Sequence, residues 1–113
     1  MKKFLVIGNP IEHSLSPQLH NFWIKKNNLN ATYTKKKLND DDLEKLIFEM
    51  RENNLDGINV TVPFKKKIIP YLDELSKEAK DTESVNTIYL KDDKINGHNT
   101  DVSAFNETIK NYI

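Results

Sequence analysis

Three short polar segments hold the side chains capable of chemistry. Asn9-Pro10-Ile11-Glu12-His13-Ser14-Leu15-Ser16-Pro17 carries two hydroxyls two residues apart. Asn59-Val60-Thr61-Val62-Pro63-Phe64-Lys65 carries an amide, a hydroxyl and an ammonium, and Gly97-His98-Asn99-Thr100-Asp101 ends in a carboxylate. Ser14 and Ser16 can face one side of an irregular segment. Ser16 also stands where helix amides and the positive end of the helix dipole attract an anion. A carboxylate held there receives charge-assisted hydrogen bonds, each about twice as strong as a neutral one. Strand alternation puts Val60 and Val62 on one face and Asn59 and Thr61 on the other. Asn86, in Val85-Asn86-Thr87, interrupts another apolar run with an amide that both donates and accepts. Lys65 and Asp101 form a candidate proton-transfer pair, attracting by roughly 4 kcal/mol at about 4 Å in an effective dielectric near 20. Together these groups suit a small polyhydroxylated carboxylate.

Taken singly, each segment has a plainer reading, and the residues leave both open. Ser16 alone can be an ordinary helix cap. Asn59 and Thr61 fit an edge strand that runs into a solvated lysine turn, and Asn99 or Thr100 before Asp101 fits a cap. His13 and His20 form no metal-ligating pattern, and Cys is absent, so no metal ligand is assigned.

The elements that must position these groups follow from the apolar pattern. Phe4 to Ile7 reads as a buried parallel strand. Ser16-Pro17 predicts a helix with Ser as N-cap and Pro at the first helical position, carrying Leu19, Phe22 and Trp23 and ending at Asn27-Asn28. Ala31 to Leu38 reads as a second strand, near an edge because of its lysines. Asn39-Asp40-Asp41-Asp42 caps a helix bearing Leu43, Leu46, Ile47 and Met50, which ends at Asn53-Asn54. Ile58 to Val62 is a third strand stopped by Pro63, and 64–72 is a short helix or turn broken by Pro70. Ser76 to Lys80 is a further helix. Val85 to Leu90 and Lys94 to Gly97 read as paired strands turned at Asp92-Asp93, and a final helix carries Val102, Phe105 and Ile109. The order predicts an α/β fold: a three-layer α/β/α domain with a mostly parallel sheet, one antiparallel strand pair and helices on both faces. In such sheets the strand ends converge on one crevice, where ligands sit.

Bulk properties narrow the class. At 113 residues the chain holds one core. No apolar run approaches the roughly 20 residues of a membrane span. The apolar N-terminal stretch is too short for a signal peptide and ends at Asn9-Pro10. Seventeen basic and seventeen acidic residues cancel, which removes the electrostatic footprint of a nucleic-acid binder. The basic residues are nearly all Lys, so the runs 35–37 and 65–67 are not taken as basic patches. The absence of Cys fits a reducing cytoplasm.

In content, order and spacing the segments resemble the N-terminal substrate-binding domain of shikimate dehydrogenases. That family carries G-N-P-I-x-H-S-x-S-P, N-V-T-x-P-x-K, V-N-T and G-x-N-T-D. Here these are Gly8 to Pro17, Asn59 to Lys65, Val85 to Thr87 and Gly97 to Asp101. The resemblance covers 1–113 and implies reversible, NADP-dependent reduction of 3-dehydroshikimate to shikimate. By it, Ser14 and Ser16 bind the shikimate carboxylate, and Thr61, Lys65, Asn86 and Asp101 surround the ring hydroxyls with Asn59 close by. Lys65 and Asp101 correspond to the catalytic pair. A quinate/shikimate dehydrogenase of broader use and a stand-alone shikimate-binding module are the alternatives, and retention of both Lys65 and Asp101 speaks against the second. Two departures stand out: Val102-Ser103-Ala104-Phe105 where Gly is frequent after the aspartate, and Glu83-Ser84 where Gly-Ala is common. Only Gly8, Gly57 and Gly97 occur, so no G-x-G-x-x-G fingerprint exists and no cofactor-binding residue is assigned. The resemblance implies a Rossmann-type NADP domain following where this chain ends, the chain itself being expected to be a fragment, a truncated product or one excised domain. Faces that meet that domain, or the returning end of a longer chain, are expected as an exposed apolar patch. The full-length enzyme is left open between monomer and homodimer.

Overall fold

A computed structural model describes residues 1–100. Asp101 and the helix expected beyond it lie outside the described residues. The elements run β1 (Lys2–Gly8), α1 (Ser16–Lys26), β2 (Ala31–Lys37), α2 (Leu43–Arg51), β3 (Gly57–Val60), α3 (Phe64–Lys67), β4 (Glu74–Leu75), α4 (Lys77–Thr82), β5 (Thr87–Lys91) and β6 (Lys94–His98). The sheet order is β2-β1-β3-β5-β6-β4. β1 pairs in parallel with β2 and β3, and β4 in parallel with β6. β5 alone runs the other way, antiparallel to β6 as expected and antiparallel to β3 as well.

Alternation along β1 divides the protein into layers. Leu5 and Ile7 point into the main core with α2, Phe64 of α3 and Ala79 of α4. Val6, with Phe4, points the other way, toward Tyr33 and Ile24 of α1. Helices therefore cover both faces, as the sequence implies. The stripe Leu43, Leu46, Ile47 and Met50 is the buried face of α2, and β2 is an edge strand. The bidentate Arg51–Asp73 pair, at 2.8 and 2.9 Å, ties α2 to the β6 region, where Asp73 Oδ2 also accepts from Ile95 N at 2.7 Å. The Arg51 guanidinium and then the Ile95 amide hold the Asp73 carboxyl below the usual carboxylate range.

Three expectations need correcting. Ser16 is not the N-cap of α1: Leu15 takes that place, Ser16 is the first helical residue and Pro17 the second, and no side chain caps the helix. The stripe Leu19, Phe22 and Trp23 marks the helix but is not its buried face. No residue of α1 is buried, and Leu15, Leu19, Phe22 and Trp23 form an exposed apolar surface. The helix meets the sheet through Ile24, His20 and Asn21 instead. The two-residue β4 was not foreseen, because a strand that short has no period to read; its pairing with β6 defines it.

Helix and hairpin ends obey local chemistry. Asn28 (φ 54°) and Asn53 (φ 63°) close α1 and α2 in the left-handed conformation that Asn tolerates. Asp92 and Asp93, both left-handed, form the two-residue turn between β5 and β6. Ser76 Oγ accepts from Ala79 N and caps α4. Glu83, at φ 52° and ψ 41°, closes that helix in a conformation that crowds its Cβ. This explains why glycine suits the position. Its exposed pair with Lys66, at 3.1 Å, offsets little. We expect Glu83→Gly to stabilise the chain by about 0.5–1 kcal/mol, read as a higher urea midpoint at unchanged slope; a lower midpoint would show that the ion pair outweighs the strain.

Candidate functional site

The direction of β5 assembles the site. Five strands point one way, so the segments after β1, β3 and β6 leave the sheet at one edge. β5, reversed, begins at that same edge with Asn86 and Thr87. Backbone bonds stitch these ends together: Thr61 N donates to Ile7 O (3.0 Å), Asn9 N to Val62 O (3.0 Å), Val60 N to Asn86 O (2.8 Å) and Asn86 N to His98 O (3.0 Å). This is the carboxyl edge at which α/β sheets bind ligands.

Ser14, Ser16 and Thr61 line one cavity of about 250 Å³ with Val6, Pro10, Ile11 and His13. Gly8 brings its walls together. A Cβ on Gly8 would lie 2.5 Å from Thr61 Cγ2 and 3.1 Å from Val62 O, so only glycine lets the third strand's end approach this closely. The Ser14–Ser16 loop is held by Ser14 N donating to Ile11 O and by Lys35 Nζ donating to Glu12 O. Ser14 Oγ accepts from Ser16 N at 3.3 Å, which leaves its proton for an anion. Ser16 is the first residue of α1 and makes no side-chain cap bond, so it is not the cap of that helix.

Asn59, half-buried on β3, accepts a 2.7 Å bond from Tyr33 Oη, and its Nδ2 reaches Asn86 O and Thr87 Oγ1 at 3.4 Å each. Asn86 Oδ1 accepts from Thr100 N (3.1 Å) and Thr87 Oγ1 (3.0 Å), and its Nδ2 donates to Thr100 Oγ1 (2.9 Å). Lys65 is half-buried on α3, and its carbonyl accepts from Val85 N at 2.8 Å, which sets it beside Asn86. Its neighbours Lys66 and Lys67 turn to exposed Glu83 and Asp40, so the lysine run is no basic patch. Asn99 is buried and donates to Thr82 Oγ1 and Ser84 O, fixing the end of β6 to α4.

The structure thus joins Ser14, Ser16, Asn59, Thr61 and Asn86 in one region, with Lys65 adjoining through the backbone. Asp101 lies outside the described residues. The sequence reading missed Tyr33, Thr87 and Thr100. Tyr33 left a signal: it is the one aromatic on a strand otherwise made of Ala, Thr and Lys, and a buried Tyr needs a partner for its hydroxyl. Among the described residues no group of three or more His, Cys, Asp or Glu could hold a metal, and no helix is long and apolar enough to cross a membrane.

Residues 6–88 match the family model of the shikimate dehydrogenase substrate binding domain. This chain belongs to that family. The shikimate dehydrogenase (NADP(+)) of Pelagibacter ubique is 62% identical over 104 residues, 92% of this chain and 39% of the relative. That of Desulfitobacterium hafniense is 42% identical across the whole chain and 41% of its own length. Among solved structures, the Listeria monocytogenes shikimate 5-dehydrogenase bound to shikimate and NAD superposes with a TM-score of 0.91 at 35% identity, over 99% of this chain and 39% of that one. The Aquifex aeolicus enzyme gives 0.89 at 40% identity over 100% and 42%. The chain spans about two fifths of the length of the shikimate dehydrogenases it matches.

In this shikimate dehydrogenase domain Tyr33 also carries a pH signature. Burial pushes its phenol up to about 12, while the Ser16 hydroxyl pulls the other way. The folded value lies above the ordinary 10, so the fold favours the protonated phenol. That contribution is whole below pH 10 and is lost as pH rises from about 10 to 12. We expect the chain to lose about 2–3 kcal/mol relative to a Tyr33→Phe variant across that window, measured as the difference between their denaturation midpoints; parallel curves would mean the phenol titrates alike folded and unfolded.

Proposed function

We propose that this chain is the substrate-binding domain of a shikimate dehydrogenase. It holds shikimate and 3-dehydroshikimate, while another part of the protein holds NADP. The observation that carries this reading is the convergence of Ser14, Ser16 and Thr61 on one cavity. It is supported by the family match and by Listeria and Thermus members crystallised with shikimate. Ser14 and Ser16 donate to the carboxylate. Thr61, Asn86 and Asp101 address the ring hydroxyls, with Asn59 beside them.

Lys65 and Asp101 exchange the proton of the reacting hydroxyl. In the reducing direction the Lys65 ammonium donates to the alkoxide oxygen as charge develops there; in the oxidising direction the pair takes the hydroxyl proton. The described residues do not fit a dinucleotide pyrophosphate. Gly8, Gly57 and Gly97 are closed in by Thr61, Phe4 and Leu72 respectively, so none leaves backbone open to a phosphate. The pyrophosphate of the hydride donor is therefore assigned to another part of the protein. Shikimate is the pathway intermediate toward aromatic amino acids, and the absence of Cys accords with work in the cytoplasm.

Two experiments test the reading. Calorimetric titration of the chain with shikimate should show saturable binding that Ser14→Ala weakens about tenfold, near 1.4 kcal/mol for one charge-assisted bond. Unchanged affinity would remove the serine from carboxylate recognition. In the complete enzyme, Lys65→Ala should lower kcat by a factor corresponding to about 2–4 kcal/mol while KM moves far less. Near-normal turnover would end the catalytic assignment.

A further inference from the structure

We propose that Val85 and Asn86 form a bracket that sets the spacing of the proton-transfer pair. The Val85 amide holds the segment that bears Lys65, and the Asn86 side chain holds Thr100, the residue before Asp101. Asn86 and Thr100 are thereby positioning residues of the reaction. The inference rests on the shikimate dehydrogenase reading above and deepens it by naming what fixes the geometry of its pair.

The end of the β5–β6 hairpin carries the argument. The strands pair from Lys91↔Lys94 to Thr87↔His98, and Asn86 N then donates to His98 O at 3.0 Å. One step further the backbones part, because Val85 N turns to α3 and donates to Lys65 O at 2.8 Å. There the Asn86 side chain takes over from the ladder. Its Oδ1 accepts from Thr100 N at 3.1 Å, and its Nδ2 donates to Thr100 Oγ1 at 2.9 Å. A primary amide offers acceptor and donor on one side, so it grips an N–H and the neighbouring hydroxyl together. All three bonds have ordinary hydrogen-bond lengths. Two residues adjacent in sequence thus hold both segments.

Proton counting shows what the Asn86 oxygen is for. Thr100 N can only donate, which requires Oδ1 to face it and fixes the orientation of the amide. Thr87 Oγ1 donates to the same oxygen at 3.0 Å, so both of its lone pairs are filled. Asn86 Oδ1 therefore holds the chain at Thr100 and accepts nothing from a substrate hydroxyl.

The bracket is itself anchored. Asn86 O accepts from Val60 N at 2.8 Å, which ties it to β3. Val85 and Phe64, the residue before Lys65, belong to the main core. Asn99 is buried and donates to Thr82 Oγ1 and Ser84 O, so the chain reaches Thr100 from a fixed point. A proton passes between groups only within hydrogen-bond reach, roughly 2.6–3.2 Å, and a misplacement of about 1 Å can cost on the order of a hundredfold in rate. Anchors one residue apart keep the segments bearing Lys65 and Asp101 from drifting apart.

Hydrogen exchange followed by NMR and steady-state kinetics, both in the complete enzyme, test the bracket. Asn86→Ala removes the side-chain grip and keeps the backbone bonds of position 86. We expect exchange at the Thr100 amide to speed up at least tenfold, while the Val60 amide, bonded to the backbone carbonyl of position 86, stays unchanged. Thr100→Val keeps the shape and loses the acceptor. It should lower kcat about fivefold with the shikimate KM moved less than about twofold, and Thr100→Ser should restore kcat. In an Asn86→Ala background Thr100→Val should cost nothing more. Unchanged exchange at Thr100, equal acceleration at Val60, a raised KM at normal kcat, or an additive loss in the double variant would each overturn the proposal. If the unsubstituted enzyme did not turn over shikimate while the exchange result held, the functional reading would fall and take the catalytic use of the bracket with it, and the intact grip on Thr100 would distinguish that failure from the bracket's own.

Discussion

β1 is bonded in parallel on both sides, and the segments carrying Ser14 and Thr61 are placed by reference to its carboxyl end. Ile7 O receives Thr61 N, Gly8 O receives Leu38 N, and Asn9 N returns to Val62 O. A parallel neighbour cannot arrive by a tight turn, so each must come through a crossover. These crossovers put α1 and α2 on opposite faces of the sheet. The loop with the serines and the strand end with Thr61 are therefore adjacent although some 45 residues separate them in the chain.

The two faces of the sheet differ in character, and the difference has a chemical use. On the α2 side, Leu5, Ile7, Ile58, Val60, Ile88 and Ile95 make a continuous core. On the other side the register aligns Val6 with Asn59 and Asn59 with Thr87, so the row turns polar as it crosses from β1 to β5. Polar groups in such a row must find partners. They find them in one another, from Tyr33 through Asn59 and Thr87 to Asn86 and Thr100. The amides of Asn59 and Asn86 each have an acceptor beside the nitrogen and a donor beside the oxygen. The proposed substrate site would need that rigidity, because to tell hydroxyls apart each amide must present a chosen end.

Much of this was legible from residue types. The helices at 16–26 and 43–51, the lysine-rich edge strand, the hairpin turn at Asp92-Asp93 and the endings at Asn28 and Asn53 follow from period, capping chemistry and tolerance of left-handed backbone. Those are local properties, set by bonds within a few residues. The candidate residues Ser14, Ser16, Asn59, Thr61, Lys65 and Asn86 could be named from the sequence as polar groups ending apolar runs, each with a plainer reading beside it.

What the sequence by itself determined, then, was the set of elements and the chemistry at their ends. The tertiary structure decided which groups face one another. It left the apolar stripe of α1 on the surface and paired β5 with β3 as well as with β6. Neither is encoded locally: each depends on a partner distant in the chain, or on a face that packing leaves uncovered. Tyr33 shows the physical reason most clearly. Its identity and strand were readable, but a hydroxyl acquires a role only when folding brings one acceptor within 2.7 Å and excludes water from the rest.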